Sequence, residues 1–325
     1  MVAGPEHAGQ VGVLVMSHGT PPSLDLLPSF YTEIRRGNPP PPELLADLER
    51  RYRAIGGVSP LNERTREQEQ ALAHALESLA PGCYLVAGGA KFADPRIEDA
   101  LETLVSRGAA RVVGLVLAPH AAEVSVGDYE RRARAAAQRV GERLGRELPI
   151  DVVRHWYDAP GFDELLAARV RDALDTLPVA ARADAEVLFT AHSVPMRFID
   201  AGDPYALQVG ATARAVAERA ALSHWRACWQ SAGRTGDAWL GPDLLEVIRA
   251  IGTASSAGAV VVCPAGFVSD HLEVLYDVDI EARAVAEECG LAFARTRSFN
   301  ADPEFCSLLA RVVHAASAAP AGRAD

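Results

Sequence analysis

The sequence predicts an α/β protein of two Rossmann-like units, each a four-stranded parallel sheet flanked by helices. Three observations predict it. Short β-branched runs alternate with longer segments whose apolar residues recur at helical spacing, the signature of parallel sheets with helices on both faces. The runs fall into two sets of four. Each set opens on a run with the same ending: MSHGTP (16–21) and TAHSVP (190–195) both place a histidine after a small residue at a strand end, with a proline three residues on.

The first set comprises residues 11–17, 83–89, 111–119 and 150–156, and the second 186–192, 224–230, 259–265 and 291–296. Between them lie helical patterns such as TREQEQALAHALESL (65–79), GFDELLAARVRDALDTL (161–177) and LEVLYDVDIEARAVAEE (272–288). The layout divides into an N-terminal unit, 1–160, and a C-terminal unit, 161–325. Residues 19–64 interrupt the first unit with two helical patterns, broken at RRGNPPPPE (35–43) and closed by the turn GGVSP (56–60). An insertion after the first strand sits at the carboxyl edge of the sheet, where open α/β folds bind ligands. The tail AASAAPAGRAD (315–325) is expected to fray.

A chain of 325 residues, 49% hydrophobic, can bury more than one core. Its 32 basic and 43 acidic side chains give a net charge of −11, which argues against general nucleic-acid binding. A local basic patch can still hold a small anionic substrate. No apolar stretch approaches the ~20 residues of a transmembrane helix, and MVAGPEHAGQ lacks the basic-then-apolar pattern of a signal peptide. A cytoplasmic protein is expected. The five cysteines, Cys83, Cys228, Cys263, Cys289 and Cys306, are scattered without a CxxC element and read as reduced thiols.

Histidines at the carboxyl edge of parallel strands point into the cleft, so His18 and His192 should face each other if the units are related by a pseudo-twofold. With a pKa near ~6.5, each could bind a divalent metal or take a proton at neutral pH. The plainer alternative is a histidine satisfied by neighbouring carbonyls. In FVSDHLEVLYDVDIEAR (267–283), Asp270 is expected as an N-cap. Glu273, Asp277 and Glu281 then form a row at i, i+4 and i+8 with no lysine between them, an arrangement that costs stability. It is either a solvated acidic face or a ladder of oxygen ligands leading a cation to the strand edge. One histidine with carboxylates suits a transient metal better than a structural zinc. Arg35, Arg36, Arg51 and Arg53 form a basic patch in the insertion, with Tyr31 and Tyr52 beside them, suited to carboxylates and a flat ring. Tyr129 is expected at the cleft edge, and Trp229 and Trp239 as a wall for an apolar ligand or as parts of a packed loop. The phosphate-binding GxGxxG and GxxxxGK[ST] motifs and the hydrolase GxSxG are absent.

These segments resemble the ferrochelatases, in particular the bacterial coproporphyrin ferrochelatases. The motifs that carry the resemblance are GVLVMSHGTP, YTEIRRG, ERRYRAIGGVSPLNE, LVLAPH, TAHSVP, GDPY, WQSAGRTGDAWLGPD and GFVSDHLEVLYDVDIE, and it extends to FNADPEF (299–305). The resemblance implies a porphyrin cleft between two Rossmann-like domains and insertion of Fe(II) into a free-base porphyrin with release of two protons. It casts His192 and Glu273 as the catalytic metal-site pair, with Asp277 and Glu281 as the acidic line behind it. Arg35, Arg51, Tyr52, Ser59 and Tyr129 match positions that contact the macrocycle or its propionates. His18 stands where relatives often carry a tyrosine that can ligate product iron, and Phe92 where they often have histidine. Coproporphyrin III is the implied substrate. Protoporphyrin IX metallation and a non-catalytic haem or porphyrin carrier are the alternatives. A monomer is expected, with iron as substrate, no permanent cofactor and no iron–sulfur cluster.

Overall fold

The computed structural model describes residues 9–233, 236–254 and 257–318. All eight anticipated strands form: β1 Val11–Ser17, β2 Tyr84–Ala90, β3 Arg111–Val116, β4 Ile150–Val153, β5 Glu186–His192, β6 Trp225–Gln230, β7 Ala259–Cys263 and β8 Ala292–Arg295. They build two parallel four-stranded sheets of identical topology, β2-β1-β3-β4 and β6-β5-β7-β8. The repetition read from the layout thus extends to strand order. In each sheet the first strand lies inside, between the second and third. Val13 stands opposite Val86 and Val113, and Phe189 opposite Ala227 and Cys263. The chain builds to one side and then to the other, so the carboxyl ends of β1 and β5 are switch points where a crevice opens. Burial on both faces explains the unbroken apolar runs; Val13 through Met16 have no exposed surface.

The largest apolar cluster joins the two sheets, running from Val15 of β1 through Phe162 to Phe189 of β5 and Phe305. Within it Phe299 stacks on Phe305 at 4.4 Å, and the Trp156 indole donates to the carbonyl of Val116 at 3.0 Å. Each such aromatic contributes about 1.5–3 kcal/mol through burial.

The helix Phe162–Thr176 packs on the second sheet, but the last helix, Pro303–Ala318, returns to the first unit. It lies against helix Leu61–Leu79, β3 and β4. A boundary at residue 160 therefore separates the sheets but not the helices that cover them. This packing also corrects the frayed tail: helix continues to Ala318, pinned where the Ser317 hydroxyl meets Tyr84 Oη at 2.7 Å. Residues 319–325 lie outside the described residues.

The insertion forms helices Leu27–Ile34 and Pro42–Ala54. The turn that closes it needs left-handed backbone, with φ of +103° at Gly56 and +95° at Gly57, which glycine adopts without a steric penalty.

Candidate metal and porphyrin site

His192 ends β5, and Glu273 opens a helix that follows β7, the neighbour of β5. The helix Glu273–Ala282 is a π-helix, not the α-helix the apolar spacing suggested. In an α-helix a four-residue step overshoots one turn, whereas in the wider π-turn it falls short. Either way residues 273, 277 and 281 stay on one face, so the acidic row survives. Asp270 does not cap this helix. Its carboxylate accepts from Ser298 Oγ at 2.7 Å and Asn300 Nδ2 at 2.9 Å and pairs with Arg295. The backbone N–H of Leu272, just before the helix, donates to Ser59 Oγ at 3.2 Å.

His192 Nε2 lies 3.4 Å from Glu273 Oε1, and His271 Nε2 lies 3.6 Å from Glu273 Oε2. One carboxylate therefore sits between two imidazoles, at distances longer than a tight hydrogen bond. In both rings Nδ1 faces a carbonyl, that of Ser193 for His192 and that of Ser269 for His271. A carbonyl only accepts, so Nδ1 carries the proton and Nε2 is the atom left to meet an ion. His192 and Glu273 are 38% and 34% accessible, yet both are set deep among protein atoms. Burial alone would lower the His192 pKa, but the Glu273 charge overrides it and pushes the imidazole up to about 9. Burial opposes ionisation of Glu273, but the two histidines hold it well below the usual carboxylate range. At neutral pH the pair is imidazolium and carboxylate.

His18 follows β1 on the first sheet. Its ring lies 4.8 Å from Phe92 and 6.2 Å from Phe30, and its Nδ1–H donates to the Gly19 carbonyl at 3.0 Å. The ring is open to solvent but surrounded by protein, and this desolvation drives its pKa down to about 4. The charge of Glu273 acts against this desolvation without overcoming it. The expectation of two histidines near their ordinary pKa is thus corrected in both directions. The Asn62 amide clamps Thr20, accepting from its N–H at 3.0 Å and donating to its carbonyl at 2.8 Å, so the turn after His18 is held from helix Leu61–Leu79.

The acidic row is not left to repel itself. Arg51 of the insertion reaches Asp277 at 3.0 Å and Glu281 at 4.0 Å, and lies over the Tyr276 ring at 5.0 Å. Ser231 Oγ donates to Asp277. Burial and the Glu273 charge still raise Asp277 to about 6, just below neutrality.

The other anticipated contacts divide. Arg35 lies over Tyr31 at 5.8 Å, its Nε is buried without a hydrogen-bond partner, and Arg36 is exposed. Among the described residues neither makes an ion pair, so both keep charge for an anion. Arg53 is taken by Glu49. Arg51 faces the acidic row rather than an open patch. Tyr52 is buried with its hydroxyl 2.8 Å from Thr20 Oγ1. Tyr129 is buried under the Lys91 ammonium, 4.8 Å from its ring. Ser59 is buried and holds the start of the π-helix. Trp229 is buried against Tyr205, and it is Trp239 that approaches the site, 6.5 Å from the His192 ring. Thr235 and Arg234 of that loop lie outside the described residues. Sequence reasoning singled out neither His271 nor Ser231, although His271 stands two residues before Glu273 in the same strand-to-helix turn.

Two parallel sheets of this order, with an imidazole–carboxylate pair at the switch point of the second, are the architecture of a metal chelatase. SirB from Bacillus subtilis with Fe3+ superposes with a TM-score of 0.58 at 13% identity, covering 95% of this chain and 96% of that one; this likeness shows the fold. The Ferrochelatase family model matches residues 10–317, and the chain belongs to that family. It is 41% identical over 304 residues to the coproporphyrin III ferrochelatase of Geobacillus thermodenitrificans, covering 93% of this chain and 95% of the relative. Identity to the Bacillus subtilis coproporphyrin III ferrochelatase is 40%, covering 94% and 97%, and to the ferrochelatase of Herpetosiphon aurantiacus 38%, covering 94% and 99%.

Proposed function

We propose that this protein inserts Fe(II) into coproporphyrin III, giving the iron porphyrin and two protons, as an enzyme of haem synthesis. The observation that carries the reading is the His192–Glu273 pair at the switch point of the second sheet, in a chain about two-fifths identical to coproporphyrin III ferrochelatases. Two protein ligands leave most of an ion's coordination sphere to water and to the ring nitrogens. Such ligation holds iron and then releases it.

The protonation states support the following roles. Iron displaces the proton from His192 Nε2. Glu273 is ionised at neutral pH before the reaction and can receive a pyrrole proton. Asp277, poised near neutrality, is placed to pass protons outward, and Glu281 continues the row. Arg35 and Arg36 are the groups for substrate propionates, with Tyr31 beside them. His18, neutral at pH 7, keeps a lone pair on Nε2 for iron from the other wall.

Iron is a substrate in this reading, with no resident cofactor. Among the described residues no helix is long and apolar enough to cross a membrane. A cytoplasmic monomer is the simplest setting.

The test is anaerobic metallation by the purified protein, with coproporphyrin III and protoporphyrin IX in parallel. Rapid conversion of coproporphyrin is expected. Preference for protoporphyrin would move the substrate but keep the chemistry. Binding of both without metallation would leave a carrier.

A further inference from the structure

We infer that Gln230 is a positioning residue that holds the two iron ligands in register, an inference resting on the reading of His192 and Glu273 as the metal site. Gln230 ends β6 directly opposite His192 and is 2% exposed. Its carbonyl accepts from the N–H of Ser193 at 2.8 Å, fixing the residue after His192. Its side chain reaches both elements of the site. Oε1 accepts from Thr190 Oγ1, on β5, at 2.7 Å, and Nε2 donates to the carbonyl of Glu273 at 3.2 Å.

The orientation of this amide is determined. Flipping it would set Oε1 against the Glu273 carbonyl, two acceptors facing each other. The Thr190 hydroxyl, donating into Oε1, keeps the NH2 aimed at Glu273. One buried amide thus bridges the strand that carries His192 and the first residue of the π-helix that carries Glu273. A misplacement of about 1 Å between reacting groups can cost on the order of 100-fold in rate. A buried bond at this point therefore acts on catalysis through His192 and Glu273 without touching iron or porphyrin.

A residue that merely satisfies buried polar groups would affect stability and all substrates alike, whereas a positioning residue acts on the iron terms. The test uses the full chain with Gln230→Met, close in shape but unable to bond, together with Thr190→Val, Thr190→Ser and Glu273→Gln. Steady-state anaerobic metallation gives kcat/KM for Fe(II), and fluorescence quenching gives the Kd for coproporphyrin III. Gln230→Met should lose about tenfold or more in kcat/KM for Fe(II), with the porphyrin Kd unchanged within about twofold. Thr190→Val should show the same pattern more weakly, and Thr190→Ser, which keeps the hydroxyl, should restore it. The inference is overturned if Gln230→Met keeps its iron kinetics, or if it loses porphyrin affinity in the same proportion. Should Gln230→Met fail to fold, the threonine pair decides: equal iron kinetics in Thr190→Val and Thr190→Ser overturn it. A Glu273→Gln protein with full turnover would instead sink the underlying site. An inactive Glu273→Gln beside a fully active Gln230→Met would sink this inference alone.

Discussion

His18 and His192 occupy equivalent places: each follows a small residue at the carboxyl end of the first strand of its sheet, and each gives its Nδ1 proton to a nearby carbonyl. Their proton affinities diverge. His18, set against Phe30 and Phe92 with Lys91 nearby, falls to about 4, while His192, facing Glu273, rises to about 9. The backbone device delivers an imidazole to the cleft, and its neighbours within the same unit decide what that imidazole is. One unit presents a neutral ligand. The other presents an ion pair that iron must enter by displacing a proton.

The largest effect should come from removing the charge that makes the difference. Glu273→Gln should lower turnover by about 100-fold or more, and NMR titration of the imidazoles should find His192 back towards its ordinary range. A His192 pKa unmoved near 9 would show that another group sets it.

The pH response follows next. Because iron and a proton compete for His192, apparent affinity for a divalent ion should rise about tenfold per pH unit below about 9 and flatten above it. Calorimetry with Zn(II) at several pH values checks this. The stability terms have opposite signs. The folded pKa of His192 lies above its unfolded value of 6.5, so its contribution is full below 6.5 and lost as pH rises through about 9. The folded pKa of His18 lies below 6.5, so stability falls as pH drops from 6.5 through about 4. Urea unfolding of the wild type against His192→Asn and His18→Phe isolates each slope.

Smaller effects test the frame around the pair. Arg51→Met removes the cation that offsets the acidic row, so Asp277 should titrate above about 6 and turnover should fall several-fold near neutral pH. Ser59→Ala removes the acceptor for the Leu272 N–H at 3.2 Å and for the Leu61 N–H at 3.5 Å, and should cost about 1 kcal/mol in urea unfolding, as for a lost helix cap. An unchanged midpoint would mean that water takes its place.

What was legible in the sequence differs between fold and site for physical reasons. Parallel strands buried on both faces leave continuous β-branched runs, so all eight strands could be read. The paired histidine endings were legible because the device repeats. The π-helix was not, since it differs from an α-helix in which carbonyl each N–H meets, while the side-chain row at 273, 277 and 281 survives in both. The role of Arg51 depends on a partner 226 residues away. Tyr52, Tyr129 and Trp229 are amphipathic aromatics whose type suits either a cleft wall or a core. The structure buries all three, and composition could not have chosen. Gln230 carried a signal that was legible in principle, because it ends the strand paired with the one that His192 ends.

The most direct test of the contrast is single-turnover insertion of Fe(II) into coproporphyrin III by His18→Ala and His192→Ala, with porphyrin binding measured alongside. Both variants should bind porphyrin. His192→Ala should lose insertion by about 100-fold or more, while His18→Ala should insert iron within about tenfold of the wild-type rate. The reverse order, with His18→Ala inactive and His192→Ala competent, would place the iron-handling wall on the first sheet and contradict the account.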